Sequence, residues 1–315
     1  MTTTPARPPD RPTDRRVLTF RTHEDVLAAV PVLLGFEPSD SVVMLTFGGR
    51  ETFHARIDLP PPEELDEAVR LLLEPAVAHG VEHVLFVVYS TVPQLAEQAL
   101  DRLGVAFGAA GLRVVNGLHA DGTRWFLPGS PGVPYDVRAH PFRVRSVVDG
   151  QVVSASREEL AARLAPIAGV AEVDEARDRV PGYDATEVVA TIWRALPRGR
   201  FECDDLAGVL QGMRDRVVRD VAWRSMTRDE APAHVALWTD AVQRSPDDLV
   251  GAPAAVLGLA AWLAGHGALA WCAVDRSVGS DPDNSLAELV GDLLNRAVPP
   301  SAWERGAYPD RGGPG

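Results

Sequence analysis

The chain has 315 residues with 46% hydrophobic and 24% charged content, and its 31 basic residues against 44 acidic ones leave a formal charge of −13. That charge, with the basic residues scattered among carboxylates, repels phosphodiester backbones and excludes nucleic acid as a partner. All the basic residues are arginine, which excludes Schiff-base lysine chemistry and a phosphate-loop lysine; two cysteines, Cys203 and Cys272, exclude a disulfide framework and read as reduced, buried thiols. A chain of this length buries roughly three quarters of its extended-chain surface and needs no disulfide or metal staple.

Residues 1–16 lack an apolar stretch and read as a disordered lead, not a signal peptide. No window reaches the ~18 uninterrupted apolar residues of a membrane span, so the expected location is the cytoplasm, with no membrane contact. Val17 to Phe20 reads as a short strand. Thr22 is an N-cap with Asp25 three residues on, opening a helix that ends at Gly35 with Pro31 as a kink or restart. Ser41 to Phe47 and Thr52 to Leu59 read as strands joined by a two-residue Gly48-Gly49 turn. Glu63 to His79 is helical, and the apolar run Val81 to Tyr89 reads as a central strand buried on both faces.

Val92 to Phe107 is a further helix. Leu112 to Leu118 and Thr123 to Leu127 flank Ala120-Asp121-Gly122 as a hairpin, and a last strand is expected near Phe142 to Val148, after the loop Pro128 to Pro134. Ser156 with Glu159 forms a capping box, and everything beyond reads as helix: Arg157 to Leu164, Asp184 to Leu196, Asp204 to Trp223, Ala231 to Arg244, Pro253 to Leu263, Ala268 to Val278 and Ser285 to Ala297. The last three read as amphipathic helices in tandem. The expected organisation is an α/β domain with a mixed sheet over 17–155, an all-α helical domain over 156–298 (a bundle or tetratricopeptide-like hairpins), and a disordered tail over 299–315.

Motifs carry little chemistry. Leu257, Gly258, Ala261, Ala270, Val274, Ser277 and Pro282 have tetratricopeptide spacing, but the aromatic positions are unmatched and a single repeat cannot bury its own face. Asp281, Asp283, Ser285 and Asp292 follow calcium-loop spacing with Leu286 where glycine is needed, so helix capping explains them better. His79 and His83 are separated by Gly80 and do not share a helix face as a zinc pair does. No phosphate loop, nucleophile elbow or zinc-spaced cysteine pair occurs, so no metal and no cofactor is expected.

The polar groups that remain lie at strand ends, where ligands of α/β sheets gather. Asp40 and Asp58 are candidate bases, Arg56 a candidate anion clamp, and Ser41, Tyr89 and Ser90 candidate ligand contacts; Arg124 and Trp125 form a candidate cation–π surface. Each also has a plainer reading as a turn, hairpin or half-buried residue.

The stretch Ala29-Val30-Pro31-Val32-Leu33-Leu34-Gly35-Phe36-Glu37-Pro38-Ser39-Asp40-Ser41-Val42-Val43 resembles an uncharacterised actinobacterial family catalogued as domain of unknown function 4192. Ala55 to Pro60, Ser156 to Leu160, Ala261 to Ala270 and Asp281-Pro282-Asp283 resemble it too, in family order. The resemblance implies an actinobacterial cytoplasmic protein and brings no activity. Relatives often carry a cysteine-containing segment after the Arg-Trp of the hairpin; Phe126 to Pro134 has none here, which implies that any metal or redox role of that segment is lacking. Two functions stand: a non-catalytic interaction or regulatory protein with a protein or peptide partner on the helical domain, or an enzyme acting on a small anionic or polar metabolite at the strand ends.

Overall fold

The structure is a computed structural model that describes residues 19–49, 53–148, 150–224 and 226–304. Thr22 opens α1 (His23–Leu34) with a reciprocal cap: its hydroxyl accepts from Asp25 N (3.1 Å) while the Asp25 carboxylate accepts from Thr22 N (3.0 Å). The helix runs through Pro31 without interruption and stops at Gly35, whose φ of 79° closes the last turn onto Pro31 O. Val17 and Leu18 lie outside the described residues, and Thr19 and Phe20 belong to no strand.

Six strands follow: β1 (Ser41–Phe47), β2 (His54–Asp58), β3 (His83–Tyr89), β4 (Arg113–Ala120), β5 (Arg124–Phe126) and β6 (Val133–Pro134), in the order β2-β1-β3-β4-β5-β6. Only β3 and β4 are parallel, as the crossover through α3 (Pro93–Ala109) requires. The sheet is therefore mixed. Its central strands β1 and β3 bury both faces, so they carry unbroken apolar runs. One face packs on α2 (Leu65–Ala78) and α3 through Val42, Met44, Phe86 and Phe107; the other packs on α1 through Val43, Leu45, Val87 and Val30.

Two local elements differ from the sequence expectation. Leu45 pairs with His54, so the β1–β2 connection is longer than a two-residue Gly48-Gly49 turn; Thr46 closes it with its side chain, Oγ1 donating to Phe53 O (2.6 Å) and accepting from Phe53 N (3.2 Å). Thr52, the expected start of the partner strand, lies outside the described residues. The expected strand at Phe142 to Val148 is instead helix α4 (Pro141–Val148). Alternating valine and arginine there mimics a strand, yet burial falls on Phe142, Arg143 and Ser146, a helical spacing, and α4 docks on α1.

From residue 157 onward the described chain is helical: α5 (Arg157–Ala162), α6 (Val170–Arg177), α7 (Ala185–Ala195), α8 (Cys203–Gly212), α9 (Arg216–Arg224), α10 (Ala231–Arg244), α11 (Gly251–Leu263), α12 (Gly267–Ser280), α13 (Ser285–Asn295) and α14 (Ser301–Glu304). Ser156 caps α5 by accepting from Glu159 N (3.2 Å), but the Glu159 carboxylate reaches Ala155 N, so the box is half formed. The expected helix Asp204 to Trp223 is broken in two. At the break Gly208 and Gly212 of α8 seat Tyr183, and a Cβ on Gly212 would collide with the Tyr183 carbonyl. Nor is α11 amphipathic: every residue but Ala252 is buried, because α10, α12 and α13 surround it.

Pro299 to Trp303 do not continue as a loose tail; Trp303 packs against Trp223 and Trp262 and its Nε1 donates to Met226 O (3.1 Å). Residues 305–315 and the lead 1–16 lie outside the described residues. Both cysteines are free thiols, Cys272 buried and Cys203 only half-buried. No helix among the described residues is long and apolar enough to cross a membrane.

His234 is buried in α10 with neither ring nitrogen hydrogen-bonded, and burial holds its pKa below the ordinary 6.5 against a small opposing pull from Glu230. The unfolded chain then binds the proton more readily than the folded one. Stability is expected to fall as the pH drops below 6.5, and His234→Phe is expected to flatten that part of the profile; urea midpoints at stepped pH check both, and equal slopes in the two proteins would refute it.

Candidate functional site

Cross-strand register brings the strand-end residues into one row. Asp58 of β2 is opposite Ser41 of β1, and Ser41 is opposite Tyr89 of β3, so all three project from the α1 face of the sheet. Arg56, two residues before Asp58, shares that face. Its Nε donates to Ser41 Oγ (2.9 Å), its Nη1 pairs with Asp58 Oδ1 (2.7 Å), and its guanidinium lies over the Phe36 ring, 5.7 Å from the centroid. Ser41 Oγ in turn donates to Ser39 O (2.5 Å). The candidates Ser41, Arg56, Asp58 and Tyr89 are thus brought together.

The cluster is largely self-paired. Arg56 is 14% exposed with Nε and Nη1 engaged by Ser41 and Asp58, whereas the Asp58 side chain is 85% exposed and ion-paired, which makes Asp58 a partner for Arg56 in preference to a base. Asp40 precedes this row at φ 38°, a left-handed turn that aspartate tolerates; its carbonyl accepts from Leu59 N (2.8 Å) while the residue is exposed.

Phe36 explains why the cluster sits there. Its side chain is buried in the core of the helical half, together with Leu160 and Leu164, and its backbone bridges Ser154 with Glu37 N donating to Ser154 O (2.9 Å) and Ser154 N to Gly35 O (2.9 Å). Arg157 of α5 pairs with Asp275 of α12 (2.9 Å) and feels the charge of Asp58, and Glu158 feels that of Arg56. The strand-end row therefore forms the seam between the sheet and the helices.

A second polar group adjoins it around Tyr89. Burial pushes the Tyr89 phenol well above its ordinary value of 10, and Tyr135 and Glu37 raise it further against the pull of Arg143. Tyr135 is pushed up to about 12 by burial, then by Asp121 and Glu37. Both phenols therefore stay protonated at neutral pH. Arg143 Nη2 pairs with Glu37, while Arg143 Nη1 and Tyr89 Oη are buried without a hydrogen-bond partner. Glu37, Tyr135 and Arg143 were not singled out in the sequence, and Arg143 could not be while its segment read as a strand, since a strand aims it differently from α4.

The remaining candidates lie apart from the row. Ser90 Oγ accepts from Val92 N (3.1 Å) at the start of α3. Arg124 donates to Gly132 O from Nε (3.2 Å), and Trp125, buried, donates from Nε1 to Glu24 Oε1 (3.0 Å) beside His23. Adjacent residues of a strand point to opposite faces, so Arg124 and Trp125 make no cation–π pair with each other; this corrects the expected surface. Among the described residues no group of three or more His, Cys, Asp or Glu side chains is placed to hold a metal ion.

A family model described as "Domain of unknown function (DUF4192)" matches residues 24–301. No curated protein matches the chain, and no solved structure does.

Proposed function

The chain belongs to the family described as domain of unknown function DUF4192, and from that premise we propose that it is a non-catalytic interaction protein that docks a polypeptide segment on α4 and the connector behind it. One observation carries this reading: Val144, Val147, Val148 and Val152 are 51% to 76% exposed around a cleft of about 580 Å3. Isolated exposed valines need no explanation, but four contiguous ones beside a cleft mark a contact surface. Arg138 and Arg143 line the same cleft but are already ion-paired with Asp136 (2.6 Å) and Glu37, so what the cleft favours is a partner segment with apolar side chains. Two free thiols suit a reducing, cytoplasmic setting, and a lysine-free, arginine-only chain suits the GC-rich genome of an actinobacterium.

The reading is tested with the full chain. A partner recovered by cross-linking in the native host, purified and titrated back, is expected to bind about tenfold or more weakly to Val147→Asp/Val148→Asp, since a charge buried unpaired in an apolar contact costs more than 1.4 kcal/mol. Both positions are more than two thirds exposed, so thermal melting of the variant is expected to match the wild type. Undiminished binding by the variant, or self-association of the chain as the sole contact at this face, sinks the proposal.

A further inference from the structure

A hollow of about 320 Å3 opens in the helical half where the α8–α9 turn, the start of α11 and the α12–α13 turn meet. That volume is at the small end of metabolite pockets. Three guanidiniums line it. Arg219 is 5% exposed and rigidly held: Nε and Nη2 donate to Asp220 Oδ1 (3.0 and 2.8 Å), Nη2 also to Ser285 Oγ (3.1 Å), and Nη1 to Asn284 Oδ1 (3.3 Å). A guanidinium has five N–H donors, so one Nη1 hydrogen of this lining residue is not taken by these partners. Arg214 and Arg216 stand exposed at the rim, and neither makes an ion pair among the described residues.

The acids do not cancel this charge. Asp248 is held by Arg177 Nη1 at 2.9 and 3.0 Å, and Asp220 belongs to Arg219. Asp281 remains, its Oδ2 accepting from Asn284 Nδ2 (3.0 Å). Among the residues that line the hollow, Arg214 and Arg216 without an ion pair therefore stand against one carboxylate, Asp281, while Asp215 between them in the chain is outside the lining and caps Val217 N (2.8 Å). The start of α11 adds to the positive charge here: no side chain caps this helix and Pro253 at its third position brings no N–H, so Gly251 and Ala252 place a helix N-terminus in the wall. A Cβ on Gly251 would lie 2.8 Å from the Asp281 Cβ, so glycine is what lets α11 approach the α12–α13 turn and close that side.

We propose that this hollow binds a phosphate or carboxylate oxyanion carried by a small polar metabolite. Arg214 and Arg216 clamp the oxyanion, Arg219 supplies a fixed donor beneath it, and Asp281 accepts from a hydroxyl or ammonium on the ligand's body. The assignment stands apart from the docking role of α4 and would add a small-molecule input to it.

The test uses calorimetric titration and thermal melting of the full chain with glycerol 3-phosphate and with malate, against sodium chloride at matched ionic strength. At least one oxyanion is expected to bind saturably and raise the melting temperature where chloride does not, and Arg214→Ala/Arg216→Ala is expected to bind it about tenfold or more weakly. Both arginines are exposed, so the double variant keeps its fold. No saturable binding by either probe at millimolar concentration, an equal response to chloride, or undiminished affinity in the double variant overturns the proposal. Since the valine variant of α4 leaves this hollow untouched, failure here and failure of the docking reading are told apart.

Discussion

Arg244→Ala is expected to lower the unfolding free energy by about 3 kcal/mol or more, the range measured when one member of a buried ion pair is removed. The side chain is 1% exposed at the end of α10, and its head joins three elements: Nη1 donates to Phe201 O (2.8 Å) and to Asp240 Oδ2 (2.8 Å), and Nη2 to Cys203 Sγ (3.2 Å). Truncation strands the Phe201 carbonyl and leaves Asp240 with only the distant Arg200 (3.8 Å). It also empties space beside Gly169, the residue before α6, where the Arg244 side chain occupies the room next to the glycine. Urea unfolding monitored by helical ellipticity checks this through the midpoint at unchanged slope. Asp240→Ala is expected to cost a comparable amount, and the double variant less than the sum of the two, because each single change leaves a partner stranded. A loss under about 1 kcal/mol for Arg244→Ala would place the pair among ordinary surface bridges and refute the argument.

Phe36→Ala is the second large effect, at about 3–5 kcal/mol for a buried phenylalanine. Its consequence reaches beyond the cavity. Among the described residues, Phe36 is the one buried member of the helical core cluster that comes from before residue 160, and the Arg56 guanidinium rests on its ring. Losing the ring removes the apolar floor under the Arg56, Ser41 and Asp58 cluster and loosens the Gly35 to Glu37 pairing with Ser154. Hydrogen exchange is therefore expected to quicken at Glu37 and Ser154 N–H before it quickens in β3, whereas Phe36→Leu is expected to keep most of the protection. Uniform acceleration across the sheet, or a loss near zero, contradicts the seam.

Much of the architecture was legible because local signals and burial agree in it. The Thr22 cap, the Gly35 stop and the apolar runs of β1 and β3 each satisfy a backbone or burial demand within a few residues. Local and tertiary demands part at two places. The Val144 to Val148 alternation suits a strand until docking on α1 selects the helical face, and the expected single helix parts after Gly212, where Tyr183 is seated against the α8 backbone. Of the site, Ser41, Arg56, Asp58 and Tyr89 were recognisable as strand-end polar residues. Their partners Phe36, Glu37 and Arg143 were not, since they arrive from a helix end and from a segment 100 residues away.

By itself the amino-acid order determined most of the element types, the mixed sheet followed by helices, and the family, since caps, periodicity and turn residues act over distances of a few positions. The tertiary structure alone decided that Arg56 is bound to its neighbours at a seam, that the valines of α4 face outward, and that Arg214, Arg216 and Arg219 meet the start of α11 around one hollow. Contacts between residues far apart in the chain leave no periodic trace in it, because what aligns them is the packing of whole elements and not the preference of any one residue.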